Sequence, residues 1–211
     1  MSWVAVASRP GLVVTGLAAG FAAAWLLWRS EQEEVATTII DLPIVGDTVT
    51  LIDEFVGMIR NPALQSMAPS WAALQTLKRL EGGPLLTRRD LGDGGYTIGY
   101  GRFERDPARL PASITLEQAE AMLAEDVEAR AARWVRAYVT VSLDQQQFDA
   151  LTIMAYNMSP QSFRTIAAAV NRGESPDAAA MRFILPGTRF ERGLRNRRGV
   201  ELAIYHQGVY A

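Results

Sequence analysis

Two hydrophobic rhythms divide the chain. Residues 11–28 are apolar without a break, whereas from Ser70 onward apolar residues recur mostly at the three- and four-residue intervals of a helix face. Ser70 can cap a short helix carrying Trp71, Leu74 and Leu77; it ends at Glu81, where Gly82 and Gly83 stop it. Residues 84–103 lose the helical spacing, and Gly92, Gly94, Gly95, Gly99 and Gly101 predict short strands and tight turns. Thr115 with Gln118 forms a capping box that opens a long helix with Leu116, Ala119, Leu123, Val127, Trp134 and Tyr138 on one face. Ser142 with Gln145 predicts a second box, opening a helix that presents Phe148, Leu151, Thr152 and Ala155 and ends before Pro160. Ser175-Pro176 starts a further helix, Gly187 breaks the pattern, and a last helix covers about Leu194 to Gln207. The sum is an α+β body, mostly helical, with one small β-hairpin sheet near its start.

The apolar run Gly11–Trp28 holds no charge across eighteen residues, close to the roughly 20 needed to cross a bilayer as a helix. Arg9 precedes it and Arg29, Glu31, Glu33 and Glu34 follow, a slight bias for the N-terminus inside and the rest outside. The sequence predicts one transmembrane segment, as a permanent anchor or as a signal-anchor that later leaves the membrane. No small-residue cleavage pattern follows Trp25-Leu26-Leu27-Trp28, which argues against a cleaved leader. Gly16-x-x-x-Gly20 could pack helices together, and a buried soluble helix is the bland alternative. Residues 30–70 then read as a connector. Within it Val49, Ile52, Phe55, Val56 and Ile59 keep helical spacing from Asp47, and Asn61-Pro62 ends that pattern. Three parts result: an anchor at 1–29, the connector, and a folded body at 71–211.

Charge changes this picture little. The net charge of −2 gives no reason to expect a nucleic-acid partner. The chain has no Cys and a single His, His206, so thiol chemistry, Cys-ligated metals and His-rich sites are excluded. No metal or organic cofactor is implied. His206 reads as an ordinary helix residue.

The chemistry concentrates in Glu81–Gly101, EGGPLLTRRDLGDGGYTIGYG. Two carboxylates flanking a cleft are what acid-catalysed cleavage of a glycosidic bond needs. Glu81 and Asp90 are separated by eight residues, and Thr97-Ile98-Gly99-Tyr100-Gly101 follows a Gly-rich turn. The stretch lacks the GxxxxGK[ST] pattern of a phosphate loop. With it go Ile114–Glu120, Gln147–Leu151, Ala155-Tyr156-Asn157, and Gly193–Arg198 with Glu201. In these motifs and their order the chain resembles the phage-type lysozymes, glycoside hydrolase family 24, over roughly residues 72–208.

The resemblance implies a lysozyme-like fold and gives the residues roles. Glu81 would be the general acid, which must hold a proton near neutral pH. Asp90 would stay ionised and, with the Thr97 hydroxyl, position a water on the opposite face of the sugar, implying inversion and a carboxylate separation of ~6.5–9.5 Å. An Arg of Asn196-Arg197-Arg198, here Arg197, would pair with Glu81. Tyr100 and Asn157 would line the sugar cleft. Each has a plain alternative: a turn residue for Asp90, a strand former for Thr97, core packing for Tyr100. Of the crowded Arg189, Arg192, Arg195, Arg197 and Arg198, most read as a solvated helix face. Two departures stand out. Six residues rather than the family's five separate Asp90 from Thr97, which leaves Asp93 as a rival, and Arg102 stands where the family often has His.

The expected function is a muramidase acting on the β-1,4 bond between N-acetylmuramic acid and N-acetylglucosamine in peptidoglycan. It would be used in host lysis or wall penetration, held at the bacterial inner membrane through residues 11–28 with a monomeric catalytic domain in the periplasm or on a virion. A lytic transglycosylase and a non-catalytic wall-binding or virion structural protein of the same fold are the alternatives.

Overall fold

The computed structural model of this protein describes residues 61–92 and 94–210. The apolar run at 11–28 and the helical pattern from Asp47 to Ile59 lie outside the described residues, as does Asp93. Among the described residues, no helix is long and apolar enough to cross a membrane.

Asn61-Pro62 begins a helix. Pro62 takes the first turn of α1 (Pro62–Gln65), where its missing N–H costs nothing. Leu64 is buried in the core, and Asn61 donates to the carbonyl of Val141 at 2.7 Å. This end of the connector is therefore packed on the helical body.

α2 (Trp71–Leu80) starts at Ser70, whose hydroxyl accepts from the Ala73 N–H, and ends at Glu81. Gly82 and Gly83, at φ +76° and +103°, take the left-handed conformations that let the chain leave the helix there. A three-stranded antiparallel sheet follows, in the order β1 (Leu85–Asp90), β2 (Tyr96–Gly99), β3 (Arg102–Glu104). β1 carries a register irregularity between Leu85 and Arg89. Its outer edge is covered by residues 112–114: Arg88 N–H donates to Ala112 at 3.0 Å, and Ile114 N–H to Leu86 at 2.9 Å. Gly95 closes the first hairpin because a Cβ there would meet the Phe103 ring at 2.4 Å and the Glu104 carbonyl at 2.7 Å.

Thr115 and Gln118 form both arms of the expected box at the start of α3 (Leu116–Asp126). The same rod widens into a π-helical stretch, Val127–Ala132, and continues as α4 (Arg133–Tyr138). α5 (Gln145–Tyr156) is buried along its whole length from Phe148 to Tyr156, as a helix apolar on all sides must be. Its capping box is Asp144 with Gln147, not Ser142 with Gln145. α6 (Pro160–Asn171), capped by Ser159, buries Phe163, Ile166 and Val170; the sequence reading passed over it. α7 is the short Asp177–Ala180, and α8 (Glu191–Gln207) lies along α5. Leu77, Leu123, Val127, Val135, Phe163, Ile166 and Ile204 close around α5 to make one core.

One buried carboxylate stitches this body together. Asp149 is fully buried and accepts from Ser70 N–H (3.0 Å), Ser70 hydroxyl (2.5 Å), Gln145 Nε2 (2.9 Å) and the Tyr210 hydroxyl (2.7 Å). Burial, then the bond to Asp149, pushes the Tyr210 phenol up from its ordinary value. The start of α2, the centre of α5 and the last residues of the body thus meet at one side chain.

Candidate active site

The elements above set Glu81 at the C-terminal end of α2, against α8. Its side chain is 23% exposed, and its Oε1 accepts from Arg197 Nη1 at 2.9 Å. Arg197 and Glu81 lie 116 positions apart in sequence, so only the fold makes this pair. Arg197 also donates through Nε to Glu201 Oε1 at 3.2 Å, one helical turn further along α8. Glu201 is fully buried, and its second oxygen lies 3.1 Å from Arg198 Nη1. Arg198, also fully buried, donates through Nη2 to Asn157 Oδ1 at 2.7 Å. A continuous chain therefore runs Glu81–Arg197–Glu201–Arg198–Asn157.

Burial pushes the Glu201 carboxyl up to about 7, against the pull of both guanidinium groups. The same burial lowers Arg198, partly offset by Glu201. Tyr156 stands beside the pair. Burial and then the charge of Glu81 push its phenol up to about 12, and its hydroxyl donates to the Tyr100 carbonyl at 3.1 Å. That bond ties the turn after β2 to the end of α5. Arg130 lies over the Tyr156 ring, 5.2 Å from its centroid.

Beside Arg197 opens a groove of about 640 Å³, lined by Leu80, Asn157, Leu185, Phe190, Leu194 and Arg197 among others. Leu185 and Phe190 are each about half exposed. Leu185 is the one non-glycine residue with positive φ (50°) among the described residues, and it lies on the groove wall.

The hairpin half of the site is different. Asp90, the last residue of β1, is exposed, and its Oδ1 accepts from the Gly92 N–H at 2.8 Å, closing a turn. Thr97 is 8% exposed. The register pairs Asp90 with Tyr96 and Arg89 with Thr97. Residues directly opposite each other share a sheet face, and faces alternate along a strand. Asp90 and Thr97 therefore point from opposite faces. On this pairing it is Tyr96, the neighbour of Thr97, that stands opposite Asp90.

Of the six expected site residues, the structure brings Glu81 and Arg197 into contact and puts Asn157 on the groove that Arg197 lines. Tyr100 is 7% exposed and joins the core, the plain alternative for it. Arg189, Arg192 and Arg195 are solvated, whereas Arg197 and Arg198 are buried. Arg102 does not line the acid's surroundings in this network; it holds the sheet to α3 through Asp126 (3.0 Å) and Glu125 (3.1 Å). Sequence reasoning placed Glu201 and Tyr156 in the family motifs but gave neither a role. The i,i+4 spacing of Arg197 and Glu201 was visible, but such pairs usually lie in solvent.

The sequence profile described as phage lysozyme matches residues 78–201 of the chain, which belongs to that family. Among its relatives, the endolysin of Bacillus phage PZA is 36% identical over 148 residues, covering 68% of this chain and 57% of that protein. The endolysin of Acyrthosiphon pisum secondary endosymbiont phage 1 is 33% identical over 89 residues, 41% of this chain and 59% of its own length. The chain thus spans less than two thirds of these curated relatives. Among solved structures, the endolysin from Escherichia coli O157:H7 phage FAHEc1 superposes with a TM-score of 0.59 at 31% identity, covering 69% of this chain and 98% of that one. The muramidase domain of SpmX from Asticaccaulis excentricus superposes at 0.57 with 27% identity, over 65% of this chain and 97% of its own.

Proposed function

We propose that this protein is a peptidoglycan-cleaving lysozyme, a glycoside hydrolase of the family-24 type, with Glu81 as general acid. The observation that carries this reading is the Glu81–Arg197 contact: a carboxylate at a helix end, fixed by a buried guanidinium that itself lines a groove. The named endolysins and the muramidase domain supply the substrate class. In this mechanism the Glu81 carboxyl donates its proton to the glycosidic oxygen as the C1–O bond breaks. Arg197 fixes which oxygen faces the leaving group. Asn157, presented by Arg198, is assigned a sugar contact on the groove wall. Asp90 is assigned to the water that attacks C1, which inverts the anomeric centre; Thr97 is the family's partner for it.

The charge-free run at 11–28 supports a further part of the proposal: that the catalytic body is held at the outer face of the inner membrane, by a permanent anchor or a signal-anchor. Fractionation of the full chain after expression tests it, and recovery only in the soluble fraction from the outset would contradict it.

Glu81→Gln tests the acid. The amide keeps the shape but has no proton to give, so wall cleavage should fall by at least about a thousandfold, within or beyond the range for general acids. A folded Glu81→Gln protein that clears walls as the parent does would remove Glu81 from the chemistry.

A further inference from the structure

Glu81 does not have Arg197 to itself. One guanidinium, 9% exposed, donates Nη1 to Glu81 and Nε to Glu201. Glu201 has no access to water. In so dry a setting a charge on one partner is felt strongly by the other. We propose that Glu201 is a positioning residue that governs the proton affinity of Glu81 through the guanidinium they share. The proposal rests on the reading of Glu81 as the acid and goes beyond it, because Glu201 touches no substrate.

The argument is one of charge balance. An arginine next to a carboxylate favours the ionised form. Arg197 alone would therefore strip Glu81 of the proton it has to deliver. When ionised, Glu201 draws on the same guanidinium and adds its own negative charge nearby, which favours the protonated form of Glu81. Arg198 does not cancel this. It sits against the other oxygen of Glu201, and its Nη2 is committed to Asn157.

The charged and titratable groups around the pair are few. Arg197, Arg198 and Glu201 come from α8, Glu81 from the end of α2, and Tyr156 and Asn157 from the end of α5. Arg130 and Asp126 act on Tyr156 from the long helical rod. Of these, Glu201 is the one carboxylate among the described residues that shares a guanidinium with Glu81. Its place on α8 also explains why this acid is buried at all: i,i+3 and i,i+4 spacing gives it both arginines at once.

The experiment uses the full chain as wild type, Glu201→Gln and Glu201→Asp. Two readouts are followed: the pH profile of wall cleavage, and the side-chain carboxyl signals of Glu81 and Glu201 by 13C NMR. With Glu201→Gln, the alkaline limb of the profile should move down by about one pH unit, and cleavage at pH 7 should drop about tenfold. Glu201→Asp keeps the charge and should bring the limb back toward its wild-type position. A loss of rate with the limb unmoved, or the same limb in all three proteins, would overturn the proposal. Should Glu201→Gln not fold, the wild type decides: its Glu81 signal should respond to the titration of Glu201, and independent single titrations would contradict the idea. Because the carboxyl signals need no turnover, a chain that cleaves no wall would sink the acid reading and still leave this proposal to be judged.

Discussion

The two halves of the site are built in opposite ways. On the α8 side, Glu81 meets a buried network in which Arg197, Arg198 and Glu201 are each at most 9% exposed. On the hairpin side, Asp90 ends a strand in solvent and is held by a bond within its own turn. The first half is over-determined by the core, since moving any member would leave a buried charge without its partner. The second half rests on local bonds: the strands pair Asp90 with Tyr96, which sets Thr97 on the other face of the sheet. Within one candidate site, then, a long-range ion network holds one carboxylate, while the other depends on its own turn.

The comparison can be broken at its strong end first. Arg197→Ala leaves Glu201 buried with only Arg198 beside it and frees Glu81. It should destabilise the protein by ~3 kcal/mol or more and lower cleavage at least about tenfold, as measured by thermal melting and wall clearing. An unchanged melting temperature would return Arg197 to the solvated helix face.

The weak end is sharpened by a double-mutant cycle. If Asp90 and Thr97 act on separate faces, the losses from Asp90→Asn and Thr97→Ala should add to within about 0.5 kcal/mol in kcat/KM. Strong coupling would mean that the two side chains meet over one water despite the register. Asp93→Asn serves as the comparison, and should cost far less than Asp90→Asn.

The hairpin itself has one rigid point. Gly95→Ala would force a Cβ into the Phe103 ring and the Glu104 carbonyl. The expected cost is about 1–3 kcal/mol of stability, visible in denaturant unfolding, with α8 chemistry otherwise intact. A neutral result would show that the turn can open without harm.

The sequence made much of this legible, and the failures are instructive. Caps read well where one side chain faces one backbone donor, as at Ser70 and at Thr115 with Gln118. The start of α5 was ambiguous because Ser142/Gln145 and Asp144/Gln147 satisfy the same spacing rule, and only the packing of Phe148 and its neighbours chooses between them. Ser159-Pro160 carried the signature of α6, with Phe163, Ile166 and Val170 at helical spacing behind it. Asn61-Pro62 also starts a helix, which the sequence reading did not foresee, since Pro is welcome in a first turn. Glu81 and Arg197 were reachable through the family pattern. Glu201 and Asp149 were not, because a carboxylate in a sequence is expected in solvent, and only the assembled core shows which ones it has enclosed.

The central claim is that Glu81 delivers a proton and water completes the cleavage. Mass analysis of the fragments released from purified peptidoglycan, in water enriched in 18O, tests it most directly. The account predicts fragments ending in a reducing N-acetylmuramic acid that carries the label, and their disappearance with Glu81→Gln. Unlabelled fragments ending in an internal anhydro ring, lighter by one water, would contradict it and assign the attack to the sugar's own hydroxyl.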